Sequence, residues 1–234
     1  MKLVRFGESK NERPGLIDPE GGLRDLSDYF SDFSHEAVSL NSLEKIRNID
    51  YSLLPKVPRS VRLGSCLADA PNFYCVGLNY AKHAKETGAE APIEPIIFSK
   101  ATSCISGPYD DVIIPKNSKK TDWEVELGVV IGKKCSHVSK EKALSVISGY
   151  CVINDVSERS FQFDRGGQWI KGKSAPTFGP IGPFLVTTDE VSDPQNLNLS
   201  LKLNGTTELL PISMPNFSAL VLYLGMFPLP PTQR

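Results

Sequence analysis

Asp122-Trp123-Glu124-Val125-Glu126-Leu127-Gly128-Val129-Val130-Ile131-Gly132 contains the longest strand candidate of the chain, Trp123 to Ile131, one of the many short strands from which the fold class is read. Successive side chains of a strand point to opposite faces. One face carries Trp123, Val125, Leu127, Val129 and Ile131, an apolar set that belongs in a core. The other carries Glu124 and Glu126 and continues through Gly128 and Val130, so the two glutamates sit in a partly enclosed place. Two enclosed carboxylates side by side repel, and are costly unless a cation lies between them. Mg2+, Mn2+ or Ca2+ would be such a cation. A solvent-facing strand with two ordinary glutamates fits the same pattern, so the alternation alone leaves both open.

The residues downstream add to the first reading. Asp155 follows the apolar run Tyr150 to Ile153, at a strand end where a functional side chain can emerge from a rigid element. Three carboxylates from two strands would leave positions open for water and substrate. Arg159 and Gln162, four and seven residues after Asp155, share a face if that segment turns into a helix. A Gly-rich loop, Arg165-Gly166-Gly167-Gln168-Trp169, precedes Lys171 and Lys173. Singly these are ordinary surface residues; together they place cations near the presumed metal, which suits an anionic substrate. Upstream, His83 and Glu86 lie on one face of a helix expected over Tyr80 to Thr87. A carboxylate-oriented imidazole is a general base near neutral pH, although a solvated, Lys-rich surface helix reads the same way.

The rest of the chain is a series of short strands separated by Gly and Pro. Phe73 to Leu78, Ile96 to Phe98, Asp111 to Ile114 and Gly149 to Asn154 read as strands. Helical signals are brief: Leu43 to Ile49, capped by Asn41 or Ser42, and Lys140 to Ile147, capped by Ser139. The pattern predicts an α+β, β-rich fold, a barrel or roll with helical decoration. Residues 1–65 are set apart as a small N-terminal α/β unit, with a strand at Leu3 to Phe6, tight turns and a crossing marked by Pro55 and Pro58. Residues 66–205 form the main body, and 206–234 a divergent tail.

Composition narrows the function classes. The chain has 234 residues, 40% of them hydrophobic and 23% charged, with a net charge of −1. No basic excess exists to neutralise phosphates, which argues against nucleic acid and against a polybasic membrane surface. The first residues carry no apolar run of the secretory type, and the best apolar stretch, Phe217 to Phe227, is too short to span a bilayer. Five widely spaced cysteines without a C-x-x-C pair disfavour a disulfide framework and favour a reduced, cytoplasmic setting. With only three histidines, any hard metal would rest on carboxylates.

Val76-Gly77-Leu78-Asn79-Tyr80 with His83 and Glu86, Pro95 to Lys100, the Glu124/Glu126 strand, Asn154-Asp155 with Arg159 and Gln162, Gly172-Lys173-Ser174, and Phe178-Gly179-Pro180-Ile181-Gly182-Pro183 occur in one order. In that order they resemble the fumarylacetoacetate hydrolase family. The chain is most similar to its bacterial branch with a short N-terminal domain, which includes diketo-deoxy-sugar-acid hydrolases, ureidoglycolate lyase-like proteins and hydroxymuconate isomerases. The resemblance implies a mixed β-roll catalytic domain that binds Mg2+ or Mn2+ through Glu124, Glu126 and Asp155. It further implies a homodimer acting on a small diketo or oxo acid, by hydrolysis, lyase chemistry or isomerisation. His83 with Glu86 would activate water, Lys173 would stabilise the developing enolate, and Arg159 and Gln162 would contact substrate or water. Lys173 is preferred over Lys171 because it matches the Gly-Lys-Ser context.

Two departures stand out. Pro176 occupies a position where this branch usually carries an acid. After Asn204-Gly205 the polar segment, helix and Gly-Thr-Pro-Pro-Gly-like loop of the family do not follow. Residues 206–234 hold only two charged residues, Glu208 and Arg234, and five prolines. The expectation is a frameshifted or alternatively ended product, and reading the coding DNA past codon 205 in the other two frames tests it. A catalytically inactive remnant that at most binds metal or dimerises is the alternative.

Overall fold

The structure, a computed structural model, describes residues 1–77, 79 and 94–211. Among these residues its frame is a seven-stranded antiparallel sheet in the order Lys56–Val57, Leu23–Asp25, Arg13–Ile17, Lys2–Phe6, Leu185–Thr187, Ile147–Asn154, Val125–Ile131. Here β1 is Lys2–Phe6, β2 Arg13–Ile17, β3 Leu23–Asp25, β4 Lys56–Val57, β9 Val125–Ile131, β10 Ile147–Asn154 and β13 Leu185–Thr187. The remaining strands pair off: β5 (Tyr74–Gly77) with β6 (Ile96–Ser99), and β7 (Ile105–Ser106) with β12 (Gly179–Pro180) in parallel. Likewise β8 (Thr121–Asp122) joins β11 (Ser157–Glu158), and β14 (Asn198–Leu203) joins β15 (Thr206–Pro211). Residues 1–65, set apart by their sequence, supply four strands to the same sheet as β9 and β10. Lys2 pairs with Val186 and Leu3 with Leu185.

Apolar clusters cover both faces of the β9–β10 hairpin, which is why β9 is apolar on one side and small or acidic on the other. Val125, Leu127, Val129 and Ile131 pack on Ala143, Val146, Ile147, Tyr150 and Leu199. On the opposite face Val130 and Ile153 join a core built around Leu3, Leu26, Phe33, Leu43, Ile46 and Leu185. Gly128, opposite Cys151, leaves the space that the Ile153 and Cys151 side chains fill: a Cβ there would lie 2.5 Å from Ile153 Cδ1. Trp123, expected in the core, is 39% exposed, because regular β9 pairing begins only at Val125 and the chain is displaced before it.

Among the described residues helices are few and short. The first, α1 (Leu40–Arg47), starts earlier than its sequence suggested, because Ser39 rather than Asn41 or Ser42 caps it, accepting from Ser42 N at 3.3 Å. Leu43 and Ile46 bury its inner face, and Leu40 N donates to Gly132 O, fixing the helix to the far end of β9. Lys140–Val146 is a 3-10 segment rather than an α-helix; Ser139 stands at its start without a side-chain cap bond. Asp111 to Ile114 is not a strand: Ile113 and Ile114 are 62% and 56% exposed on a loop. The change of composition at residue 206 falls inside the β14–β15 hairpin, whose turn is Asn204-Gly205. Among the described residues no helix is long and apolar enough to cross a membrane, and all five cysteines are free thiols.

Candidate functional site

The site forms where β9 and β10 end. Asn154 faces Val125 and Ile153 faces Glu126, and beyond this ladder Asp155 N donates to Glu124 O at 2.9 Å. Asn154 Oδ1 accepts from Glu124 N, so the two strand ends are stitched side by side. This register brings Glu124, Glu126 and Asp155 to one place, each with an oxygen within 4.8 Å of the others. The alternation of Glu124 and Glu126, and the position of Asp155 after an apolar strand, are the sequence signals that the geometry explains.

Cations close over the carboxylates from two further elements. Lys173 ends the helix α3 (Ile170–Lys173); its buried ammonium donates to Glu124 Oε2 and, at 2.6 Å, to Asp155 Oδ2. Gly172 makes this possible. A Cβ there would lie 2.5 Å from Glu158 O and 2.6 Å from Gln162 N, so only glycine lets α3 approach α2 (Arg159–Phe163) this closely. Lys171 instead points outward and donates to Arg165 O. Arg159 donates from Nε and Nη2 to Asp122 Oδ2 at 2.9 and 2.7 Å, from Nη2 to Glu124 Oε1 at 2.8 Å, and from Nη1 to Gln162 Oε1 at 3.1 Å. The sharing of a helical face by Arg159 and Gln162 is thus realised in α2.

Three residues without a role in the sequence reading complete the arrangement. Lys100, buried after β6, donates to Asp155 Oδ1 at 2.6 Å and to the carbonyls of Val156 and Lys173. Its place in the Pro95 to Lys100 motif was visible, but only the fold brings it to Asp155. Asp122 holds Arg159 and immediately precedes the Trp123 to Ile131 strand candidate. Glu158, completely buried, accepts from Ser118, Thr121 and Ser160 hydroxyls and from the N–H groups of Lys119, Lys120 and Ser160. His83 and Glu86, the pair proposed to activate water, lie outside the described residues.

The electrostatics separate the carboxylates. Burial alone would raise the Glu124 pKa, but Lys173 and Arg159 outweigh it and hold it down at about 2. Glu126 goes the other way: burial, then repulsion from Asp155 and Glu124, pushes its carboxyl well above the ordinary range. Such a group needs either a proton or a cation. A divalent ion with hard oxygen ligands fits that need, and an all-carboxylate donor set suits Mg2+ or Mn2+. The Lys173 pKa is lowered by burial but raised more by Asp155 and Glu124, so its ammonium stays charged. Burial, with Asp155 adding to it, raises the Cys75 thiol well above its usual value, so it is no nucleophile.

An aromatic wall stands beside the ammonium. Lys173 Nζ lies 5.2 Å from the centre of the Phe98 ring, which packs on Trp169 at 5.1 Å, and Phe163 meets Trp169 edge-on. Gly77 is pressed against the same indole.

The Glu158 cluster gives a pH prediction. Burial raises the pKa of this carboxyl, but the hydrogen bonds from Ser118, Ser160 and the backbone bring it down to about 2. A depressed pKa contributes stability above the unfolded value, near 4.5, that is lost as pH falls towards 2. The difference in melting temperature between the parent and Glu158→Gln should therefore be constant at neutral pH and narrow below pH ~4.5. A difference that stays constant to pH ~3 would contradict the depressed value.

Known proteins resemble this chain in sequence and in fold. The family described as Fumarylacetoacetate (FAA) hydrolase C-terminal matches residues 72–210, more than half of the chain. A Burkholderia cenocepacia (strain HI2424) protein, named provisionally as a hydrolase, is 53% identical over 205 residues, 88% of this chain and 73% of its own. Among solved structures, a fumarylacetoacetate hydrolase from Exiguobacterium antarcticum is 29% identical with a TM-score of 0.83, over 97% of this chain and 81% of that one. A 5-carboxymethyl-2-hydroxymuconate delta-isomerase from Mycobacterium smegmatis is 28% identical with a TM-score of 0.73, over 96% and 81%.

Proposed function

Because the chain belongs to the fumarylacetoacetate hydrolase family, we propose that it is a divalent-metal-dependent enzyme that hydrolyses or cleaves a small diketo or oxo acid next to a carbonyl. The observation that carries this reading is the convergence of Glu124, Glu126 and Asp155 from two paired strands, with the Lys173 ammonium against two of them. Those three carboxylates would hold the ion. Once bound, Mg2+ or Mn2+ supplies Lewis-acid polarisation of the substrate carbonyl.

The protein's own groups do the rest. Lys173 is a fixed, desolvated positive charge beside the carboxylates, where negative charge on an enolate oxygen would develop; its field needs no reorganisation as the charge appears. Arg159, held by Asp122, and Gln162 would orient the anionic end of the substrate. Phe98 and Trp169 wall this corner and keep water from the Lys173 ammonium. His83, oriented by Glu86, would take the proton of the attacking water. Isomerisation of a hydroxymuconate-like acid needs the same enolate stabilisation without water attack, and the likeness to isomerase structures keeps it within the proposal. A homodimer is part of the same reading.

Thermal melts with EDTA, Mg2+ and Mn2+ test the reading. A metal that binds only the folded state, at a hundredfold excess over Kd, adds roughly 2.7 kcal/mol, or about 5–10 °C for a chain of this size. The parent should show this shift and Glu124→Ala should not, and acylpyruvates and diketo sugar acids then form the activity panel. A parent melt that ignores both metals would overturn the proposal.

A further inference from the structure

Glu158 is a buried carboxylate that, among the described residues, pairs with no lysine or arginine. An uncompensated buried charge is costly, and such groups persist only when hydrogen bonds replace all the water they lose. Here one oxygen accepts from the Ser118 and Thr121 hydroxyls and from the Lys119 and Lys120 N–H groups; the other accepts from Lys120 N, Ser160 N and the Ser160 hydroxyl. Ser118 to Thr121 lie on one segment and Ser160 on another, so the carboxylate clasps two stretches of chain remote in sequence.

The clasp is the near end of a chain of contacts leading to the carboxylate cluster. It sets β8 beside β11, Thr121 opposite Glu158 and Asp122 opposite Ser157, and Arg159 N donates to Lys120 O at 2.9 Å. That pairing puts Asp122 where Arg159 can grip it with Nε and Nη2, and the same Nη2 reaches Glu124. Asp122 is substantially exposed, with a side-chain exposure of 40%. Without the clasp the Thr121–Asp122 segment has only two paired residues to hold it, and Arg159 can follow Asp122 into solvent.

We infer that Glu158 is a positioning residue: it locks the Lys119–Thr121 segment to the start of α2 and so fixes the Arg159 guanidinium against Glu124. The inference rests on the reading of Glu124 as a metal ligand. Hydrogen-bond partners of ligating carboxylates set ligand orientation, and losing them typically weakens metal binding by 10–100-fold. Glu158 acts one contact further out, so the lower end of that range applies.

Glu158→Gln is close to isosteric but cannot substitute. Whichever oxygen becomes the amide NH2, it faces two backbone N–H donors, Lys119 and Lys120 on one side or Lys120 and Ser160 on the other. The experiment is titration calorimetry of Mn2+ binding on four proteins, each checked by circular dichroism to be folded at the working temperature. They are the parent, Glu124→Ala, Glu158→Gln and Leu43→Ala. Leu43 lies buried in α1, which Leu40 N and Gly132 O tie to the opposite end of β9, so its truncation lowers stability away from the carboxylates.

The expected result is no measurable binding for Glu124→Ala, about tenfold weaker binding for Glu158→Gln, and parental affinity for Leu43→Ala. Parental affinity in Glu158→Gln, with Glu124→Ala unable to bind, overturns the positioning role alone. Parental affinity in Glu124→Ala overturns the metal reading and the inference with it. If Glu158→Gln does not fold, Ser118→Ala with Thr121→Val removes two donors and keeps the backbone ones. Several-fold weakening then supports the role, and parental affinity overturns it.

Discussion

Asp155→Ala should lower the stability of the metal-free protein by about 3–5 kcal/mol, a fall of roughly 6–20 °C in melting temperature, and abolish the metal response. Both oxygens of Asp155 are taken by ammonium groups, Lys100 and Lys173, and all three side chains are buried. Removing the carboxylate leaves Lys173 with Glu124, but leaves Lys100 facing only the carbonyls of Val156 and Lys173. An unpaired buried ammonium is the costly product. Adding Lys100→Met to Asp155→Ala should therefore recover part of the loss, a coupling visible as a double variant more stable than the single one. If the two losses simply add, Lys100 is not held by Asp155 in the way the distances indicate.

The second large effect is remote from the carboxylate cluster. Arg5→Ala should cost about 3 kcal/mol and leave the metal response intact. Arg5 donates from Nε and Nη2 to both oxygens of Asp32 at 2.6 and 2.8 Å, from Nη2 to Glu12, and from Nη1 to the carbonyls of Ser65 and Leu67. Glu12 is shared with Arg62, which also grips Asp110. One guanidinium thus ties β1 to the crossing at residues 65–67, where the chain leaves the first strands for the main body. Arg5→Lys, which keeps the charge but not the planar fork, should recover only part of the loss. Denaturant unfolding measures both. A loss under ~0.5 kcal/mol, or disappearance of the Mn2+ shift, would contradict this assignment.

The site was legible in the sequence wherever local geometry carried it. Strand alternation puts Glu124 and Glu126 on one face, a place after an apolar strand points to Asp155, and helical spacing pairs Arg159 with Gln162; the register of β9 on β10 is what joins the three carboxylates. Lys100, Asp122 and Glu158 were not assigned because the partners that define them lie far off in the chain, 55 residues for Lys100 with Asp155, 37 for Asp122 with Arg159 and 40 for Glu158 with Ser118, and no local period encodes such a meeting. Trp123 shows the opposite failure. Alternation extends the strand to it, but the break between β8 and β9 turns it outward.

The fold class was readable from many short strands and few helices, and the order of strands in the sheet was not. The Lys2–Val186 and Leu3–Leu185 pairs join residues nearly two hundred positions apart, and nothing in either stretch names the other. Cap positions moved for a smaller reason. Ser39, Asn41 and Ser42 are all good caps, and Leu40 N bonding to Gly132 O selects the first of them.

That distant pairing has a consequence for the order of synthesis. The strands β1, β2 and β3 pair locally and can assemble once residues 2–25 have emerged. The other edge of β1 must wait for Leu185–Thr187, and at 5–20 residues per second that is on the order of ten seconds or more. Through that interval the nascent chain presents an open strand edge, the kind of surface that recruits another chain. Lys2, whose charge lies on that edge, is placed where charge discourages such pairing. Slowing translation would lengthen the exposure, and the yield of folded protein should depend on expression temperature more steeply than the stability of the finished chain does.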